Sequence, residues 1–239
     1  MAKMTPEILS EELKKLCGAN LGSVVLYGSS AAGDKVKTSD YNVLVAVDRL
    51  DAEVLTSLTE LCSNWSREGN PAPLLFAKET LARSADVFPI EFSDIIQANR
   101  LIYGANPFEG MKIEPANLRL QLEHELKSKL IILRSRFLTA KGSAKEVEAL
   151  MVSSISAFLT LFKAILRLYG ENPPAKKMEA LPLLAKHIKI DMEIFTIVWD
   201  LKEGKKCQDL TSAQLFSRYL TAVQSVTDSV DLWLQKTAK

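Results

Sequence analysis

The feature that most limits what this chain can fold into is the place where its strand-forming runs stop. Two runs of β-branched and apolar residues, "SVVLYG" at 23–28 and "YNVLVAV" at 41–47, read as buried strands. "PAPLLFA" at 71–77, "DVFPIEFSDI" at 86–95 and "RLIYG" at 100–104 read as three more, with Pro89 at a strand edge or start because it has no N–H for the ladder. Beyond Gly104 no convincing strand follows. Between these runs, residues 6–18 and 51–68 carry apolar positions at helical spacing, the second behind an acidic first turn. Helix and strand therefore alternate around a small mixed sheet over the first hundred residues.

"NPFEGMKIEP", 106–115, has the prolines and glycine of a linker. After it, Leu118, Leu122, Leu126, Leu130, Leu133 and Phe137 form one helical stripe, and further helices are expected near 143–169, 176–188, 191–203 and 211–236. The expected fold class is α+β: a small mixed-sheet domain at 1–110, then an all-α helical bundle domain at 115–239. Met151 to Tyr169 is long enough to raise the question of a membrane span, but Lys163, Arg167 and several serines interrupt it, so it is assigned to the bundle centre and no membrane partner is expected.

Thirty Lys and Arg against 29 Asp and Glu leave a formal charge of +1, which excludes a global electrostatic drive toward nucleic acid or an anionic membrane. Cys17, Cys62 and Cys207 are too far apart for a zinc or redox motif and read as reduced thiols. "MAKMTPEILSEELKKL" lacks an apolar core followed by a small-residue cleavage site, so the expected location is cytoplasmic.

Chemistry concentrates in "YGSSAAGDKVKTSDYNVLVAV", 27–47. A strand ending in Gly28, Ser29 and Ser30 can bring backbone N–H groups and a hydroxyl close to a phosphate, since glycine permits approaches that a side chain blocks. Taken alone that is an ordinary turn, and neither the phosphate-loop lysine pattern nor GxGxxG is present. The second strand adds Asp40 and Asn42, which alternation puts on one face, their Cα atoms roughly 6.5–7 Å apart. Two carboxylates at that spacing would share divalent cations, and magnesium takes such oxygen ligands. Glu91, in an otherwise apolar run, is the candidate third carboxylate; the alternative is an edge strand on which Glu91 faces water.

The stretch resembles the signature of the nucleotidyltransferase (polymerase β-like) superfamily: an apolar residue, Gly-Ser, a loop of about ten residues, then acidic-x-acidic in a strand. Gly28, Ser29 and Asp40 match it and Asn42 does not. The order of a small α/β domain and a helical bundle is also similar to aminoglycoside nucleotidyltransferases. What the resemblance implies is a Gly-Ser turn that holds nucleotide phosphate, carboxylates (here Asp40 with Glu91) that hold magnesium, and Glu91 helping to bind metal or activate a hydroxyl acceptor. The implied reaction transfers a nucleoside monophosphate from a Mg-bound NTP, with release of pyrophosphate.

An amide oxygen is a neutral acceptor, whereas a carboxylate carries full charge and can bridge two cations, so Asn42 should weaken a two-metal clamp. Three accounts of Asn42 stand: one metal and slow activity, recruitment of Asp34 from the loop, or nucleotide binding without chemistry. The last makes the alternative function a catalytically inactive nucleotide-binding or protein-interaction module, a possible homodimer through its bundle. His124 and His187 have no second histidine at metal-ligand spacing, and the lysines and arginines at 127–141 read as a solvated helix face.

Overall fold

A computed structural model describes residues 4–28, 30–31, 40–174, 176–205 and 210–237, with side chains as far as Leu232. The chain divides into two compact units, Met1–Glu114 and Pro115–Lys239.

The first unit opens with α1, Pro6–Cys17. Thr5 caps it by accepting from the Ile8 N–H, Pro6 sits in the first turn where a missing N–H costs nothing, and Gly18 ends it at φ +53°. β1 (Leu21–Tyr27) and β2 (Asn42–Val47) then pair antiparallel, with Tyr27 opposite Asn42 at the end that carries the motif. α2, Ala52–Arg67, starts at Asp51, whose carboxylate accepts from the Val54 N–H at 3.0 Å. It carries the chain across to β3, Leu74–Ala77, parallel to β2. β4, Asn99–Gly104, pairs antiparallel with β1, so the order is β3-β2-β1-β4 and the two motif strands lie innermost.

Inner strands buried on both faces explain the near-continuous apolar runs. Val24, Leu26, Val43 and Val45 meet Leu9 and Leu13 of α1 and Leu58, Leu61 and Trp65 of α2. Trp65 is fully buried and its indole N–H donates to the Pro71 carbonyl at 2.8 Å, so the large ring brings no unpaired polar atom into the core. On the opposite face Val25, Leu44 and Ala46 pack against Leu81, Phe92, Ile95 and Phe108.

That second face holds a correction. The segment 86–95, expected as a strand, is instead a 3-10 turn, Ser84–Asp86, followed by α4, Pro89–Gln97; the short helix α3, Lys78–Arg83, precedes both. Pro89 begins α4 at a position where its missing N–H has no intrahelical partner to lose. Phe92 and Ile95, three apart, then both face the sheet, which helical spacing allows and a strand's alternation would not. Glu91 lies exposed in the first turn, where a carboxylate complements the helix N-terminus.

Among its described residues the second unit's regular elements are all helices: α5 (Pro115–Thr139), α6 (Ala144–Leu168), α7 (Ala180–Leu184), α8 (Met192–Lys202) and α9 (Ser212–Thr237). α6 packs on each of the other four. By length and composition it could cross a membrane, yet from Phe158 to Leu166 all but one of its side chains are buried among its neighbours. Phe162 meets Phe195 edge-on at 5.1 Å, and Tyr219 lies between Phe158 and Phe195. The Tyr219 hydroxyl stands 3.1 Å from Ser154 Oγ, which gives its buried phenol a partner. Of the helix expected over 176–188 only α7 forms, with Pro182 in its first turn, where its missing N–H has no intrahelical partner to lose. Arg218 of α9 grips Asp191, the N-cap of α8, with two bonds of 2.6 and 3.0 Å and also reaches Glu193.

Candidate active site at the Gly28 turn

β1 ends at Tyr27, and the chain turns at Gly28 with φ +78°, a region that favours glycine. The turn is closed from both sides. The Gly28 N–H donates to the Ala98 carbonyl at 3.0 Å, just before β4, and the Ala31 N–H donates back to the Gly28 carbonyl at 3.0 Å. Gly28 therefore contributes conformation, its own N–H being committed to Ala98. The Ser30 hydroxyl donates to the Asp40 carbonyl at 2.8 Å, drawing the start of the second motif strand against the turn.

Asp40 is exposed, one residue before Tyr41, whose N–H donates to the Asn70 side-chain oxygen at 2.9 Å. Asn42 is half-buried and opens β2; a Cβ at position 28 would stand 3.5 Å from its Nδ2, so its side chain leans over the turn. Alternation puts Asn42 on the face of Leu44 and Ala46, the face that α4 covers. Tyr27 packs on that same cluster. Burial, together with the nearby Asp40 carboxylate, pushes the Tyr27 hydroxyl above the usual phenol range and keeps it protonated at neutral pH.

Gly28, Ser30, Asp40 and Asn42 thus meet at one end of the inner strands. Glu91 belongs to the helix that covers the Asn42 face of the sheet. Ser29 and Asp34 lie outside the described residues, as does Cys207. Cys17 and Cys62 are free thiols that burial pushes upward, which disfavours the reactive thiolate.

Three contributors were not singled out from sequence: Tyr27, the Ala98 carbonyl and Asn99. Asn99 pairs with Tyr27 across β1 and β4 and donates its amide to the Ile95 and Ile96 carbonyls at 3.0 and 2.9 Å, closing the end of α4. An asparagine after an apolar helical stretch is a stop signal, visible once 89–97 is read as helix.

Among the described residues no group of three His, Cys, Asp or Glu side chains is close enough to hold a metal ion. The donors at the turn fit one magnesium, which needs only one or two protein oxygens beside those of a phosphate: the Asp40 carboxylate and the Asn42 amide oxygen are of that kind. They do not fit a pair of ions bridged by two carboxylates.

No protein-family model matches the sequence, and no curated protein matches it. Among solved structures it is similar to the crystal structure of spectinomycin adenyltransferase AAD(9) from Enterococcus faecialis with ATP and spectinomycin, at 11% identity over 93% of this chain and 96% of that one, with a TM-score of 0.56. At that identity the likeness is one of fold alone, in keeping with a small mixed sheet and many helices.

Proposed function

We propose that this protein transfers a nucleoside monophosphate from a magnesium-bound nucleoside triphosphate to a hydroxyl acceptor, slowly, because an amide stands at Asn42. The observation that supports the reading is the turn at Gly28: a glycine at positive φ, fastened to Ala98, with Asp40 and Asn42 brought against it. The fold shared with an enzyme whose structure holds ATP and spectinomycin is in keeping with it.

In this mechanism the Ser29 hydroxyl and the N–H groups of Ser29 and Ser30 would donate to phosphate oxygens, while the Ser30 hydroxyl stays on the Asp40 carbonyl and Gly28 lets the triphosphate come close. Asp40 and Asn42 would hold one magnesium ion, whose charge offsets that of the triphosphate. The acceptor hydroxyl gives up its proton as its oxygen bonds to the α-phosphorus, and the α–β bridging bond breaks to release pyrophosphate; Glu91 would be the base for an acceptor that extends along α4, since it stands in the first turn of that helix and the other end meets Gly28. Tyr27, neutral and half-buried, donates to a phosphate or sugar oxygen at the strand end.

Asn42 itself, with the lack of a three-acid cluster among the described residues, favours a second reading: nucleotide binding without transfer. Both are tested by incubating the protein with magnesium, each of the four nucleotides and a panel of acceptors that includes spectinomycin and the protein itself. The readouts are acceptor mass, pyrophosphate and, by calorimetry, nucleotide binding. A nucleotide-sized mass gain supports transfer. Binding with no gain, in the wild type and in Asn42→Asp alike, supports the second reading, and no nucleotide binding removes both.

A further inference from the structure

Tyr41 stands between Asp40 and Asn42, and both its ring and its backbone are tied to the end of α2. The ring packs against Trp65, the centroids 6.1 Å apart. The Tyr41 N–H donates to the side-chain oxygen of Asn70 at 2.9 Å, and the Asn70 amide nitrogen donates in turn to the Trp65 carbonyl at 3.4 Å. Asn70 is 6% exposed, so little water competes for these bonds. It follows Gly69, whose φ of +87° turns the chain back at the end of α2.

The sheet shows why a side chain is needed there. β3 runs parallel to β2 with Leu44 opposite Leu74, and that register carried back along both strands would set Pro71 opposite Tyr41. Pro71 and Pro73 have no N–H with which to extend the ladder, and the Pro71 carbonyl is taken by the Trp65 indole. Asn70 supplies the acceptor that a longer β3 would have given. An amide serves both bonds, whereas aspartate keeps only the acceptor and alanine makes neither. With Tyr41 held toward α2, alternation sends its two neighbours to the opposite face. There Asn42 leans over Gly28, and Asp40 acts on the Tyr27 hydroxyl. A rotation of the strand end about its own axis would move both donors at once, and the Asn70 bond opposes that rotation.

We propose that Asn70 is a positioning residue for the ion site: through the Tyr41 backbone it fixes the direction in which Asp40 and Asn42 present their oxygens. The inference rests on the reading of those two residues as magnesium donors. Asn70 itself touches neither ion nor nucleotide. Magnesium tolerates little departure from octahedral geometry, and groups that orient a metal's ligands from behind typically carry about 10- to 100-fold in affinity.

Calorimetric titration of magnesium into the full chain, in the presence of each of the four nucleotides as a non-hydrolysable triphosphate, tests this. Asn70→Ala should bind magnesium at least about fivefold more weakly than wild type at a temperature where circular dichroism shows both folded, and its Tyr41 amide should exchange with solvent faster. Leu13→Ala, which removes a buried side chain of α1, serves as the control for lost stability: it should melt lower and keep the wild-type affinity. Asn70→Asp keeps the acceptor for Tyr41, and in about 0.5 M salt, which screens its added charge, it should hold at least the wild-type affinity. That variant decides the matter alone should Asn70→Ala not fold. An Asn70→Ala protein that binds magnesium as wild type does, a Leu13→Ala protein that loses as much, or an Asn70→Asp protein weaker than wild type overturns the positioning role while leaving the ion site standing. A wild-type chain that binds no magnesium with any nucleotide overturns the ion site and the role of Asn70 together.

Discussion

Replacing Asn42 by aspartate asks how much one charge is worth at this turn. Asp40 and residue 42 are two apart, so their carboxylates would stand about 6 Å from one another. Without metal, the mutual repulsion is about 0.7 kcal/mol in water and about 1.4 kcal/mol at half that dielectric, a range that suits one exposed and one half-buried position. The variant should therefore be less stable than wild type in EDTA. A magnesium ion about 4 Å from the new carboxylate gains about 2 kcal/mol even in a water-like dielectric, or about thirtyfold in affinity. Calorimetric titration of magnesium, with and without a non-hydrolysable nucleoside triphosphate, reads the affinity, and melts with and without magnesium read the stability. The order of stability should reverse on adding the ion. Equal magnesium affinities in the two proteins would refute the assignment of residue 42 to the ion site, since no geometry within reach of Asp40 leaves a full charge without effect.

Asp40→Ala should abolish any nucleotidyl transfer while moving stability by less than about 0.5 kcal/mol, because the residue is exposed; persisting transfer in a mass assay places the chemistry elsewhere. Gly104→Ala and Gly110→Ala form a matched pair at φ +81° and +74°. A Cβ at 104 would lie 1.9 Å from the Gly22 backbone oxygen, whereas one at 110 meets nothing within 4 Å. Urea unfolding should show a cost of about 1 kcal/mol at 110, from φ alone, and at least about 3 kcal/mol at 104. In the helical unit, burial raises the Asp191 carboxyl but its bonds to Arg218 and to the α8 N-terminus lower it more, so it lies below its usual value. A depressed folded value means that its contribution is complete above the ordinary carboxylate range and is lost as pH falls through the folded one. Arg218→Ala should lower stability at pH 7 and flatten the acid limb of a melting-temperature profile.

The fold was legible where one signal governed. Val24–Leu26 and Val43–Val47 are buried on both faces and could be nothing but inner strands, while the leucines of α5 repeat at a helical period that no strand accommodates. The segment around Glu91 misled because so short an apolar run shows no clear period and its proline suits two positions equally, the start of a strand and the first turn of a helix. Phe92 and Ile95 decide for the helix only through contacts with Val25 and Leu44, residues some fifty or more positions away. At the site, Gly28, Asp40 and Asn42 were readable because they are close in sequence and the β1–β2 register unites them. Ala98 and Asn99 were not, because only β4 pairing brings them to Tyr27.

The central placement of β1 and β2 bears on how such a chain changes over time. Most of their side chains are locked between two hydrocarbon layers, whereas Ser30, Asp40 and Asn42 sit where those strands leave the slab. A swap at that rim, carboxylate for amide, alters reactivity without disturbing any packed atom beneath. Packing and rim chemistry are thus separately mutable, and the scaffold can keep its core while the groups at its edge change.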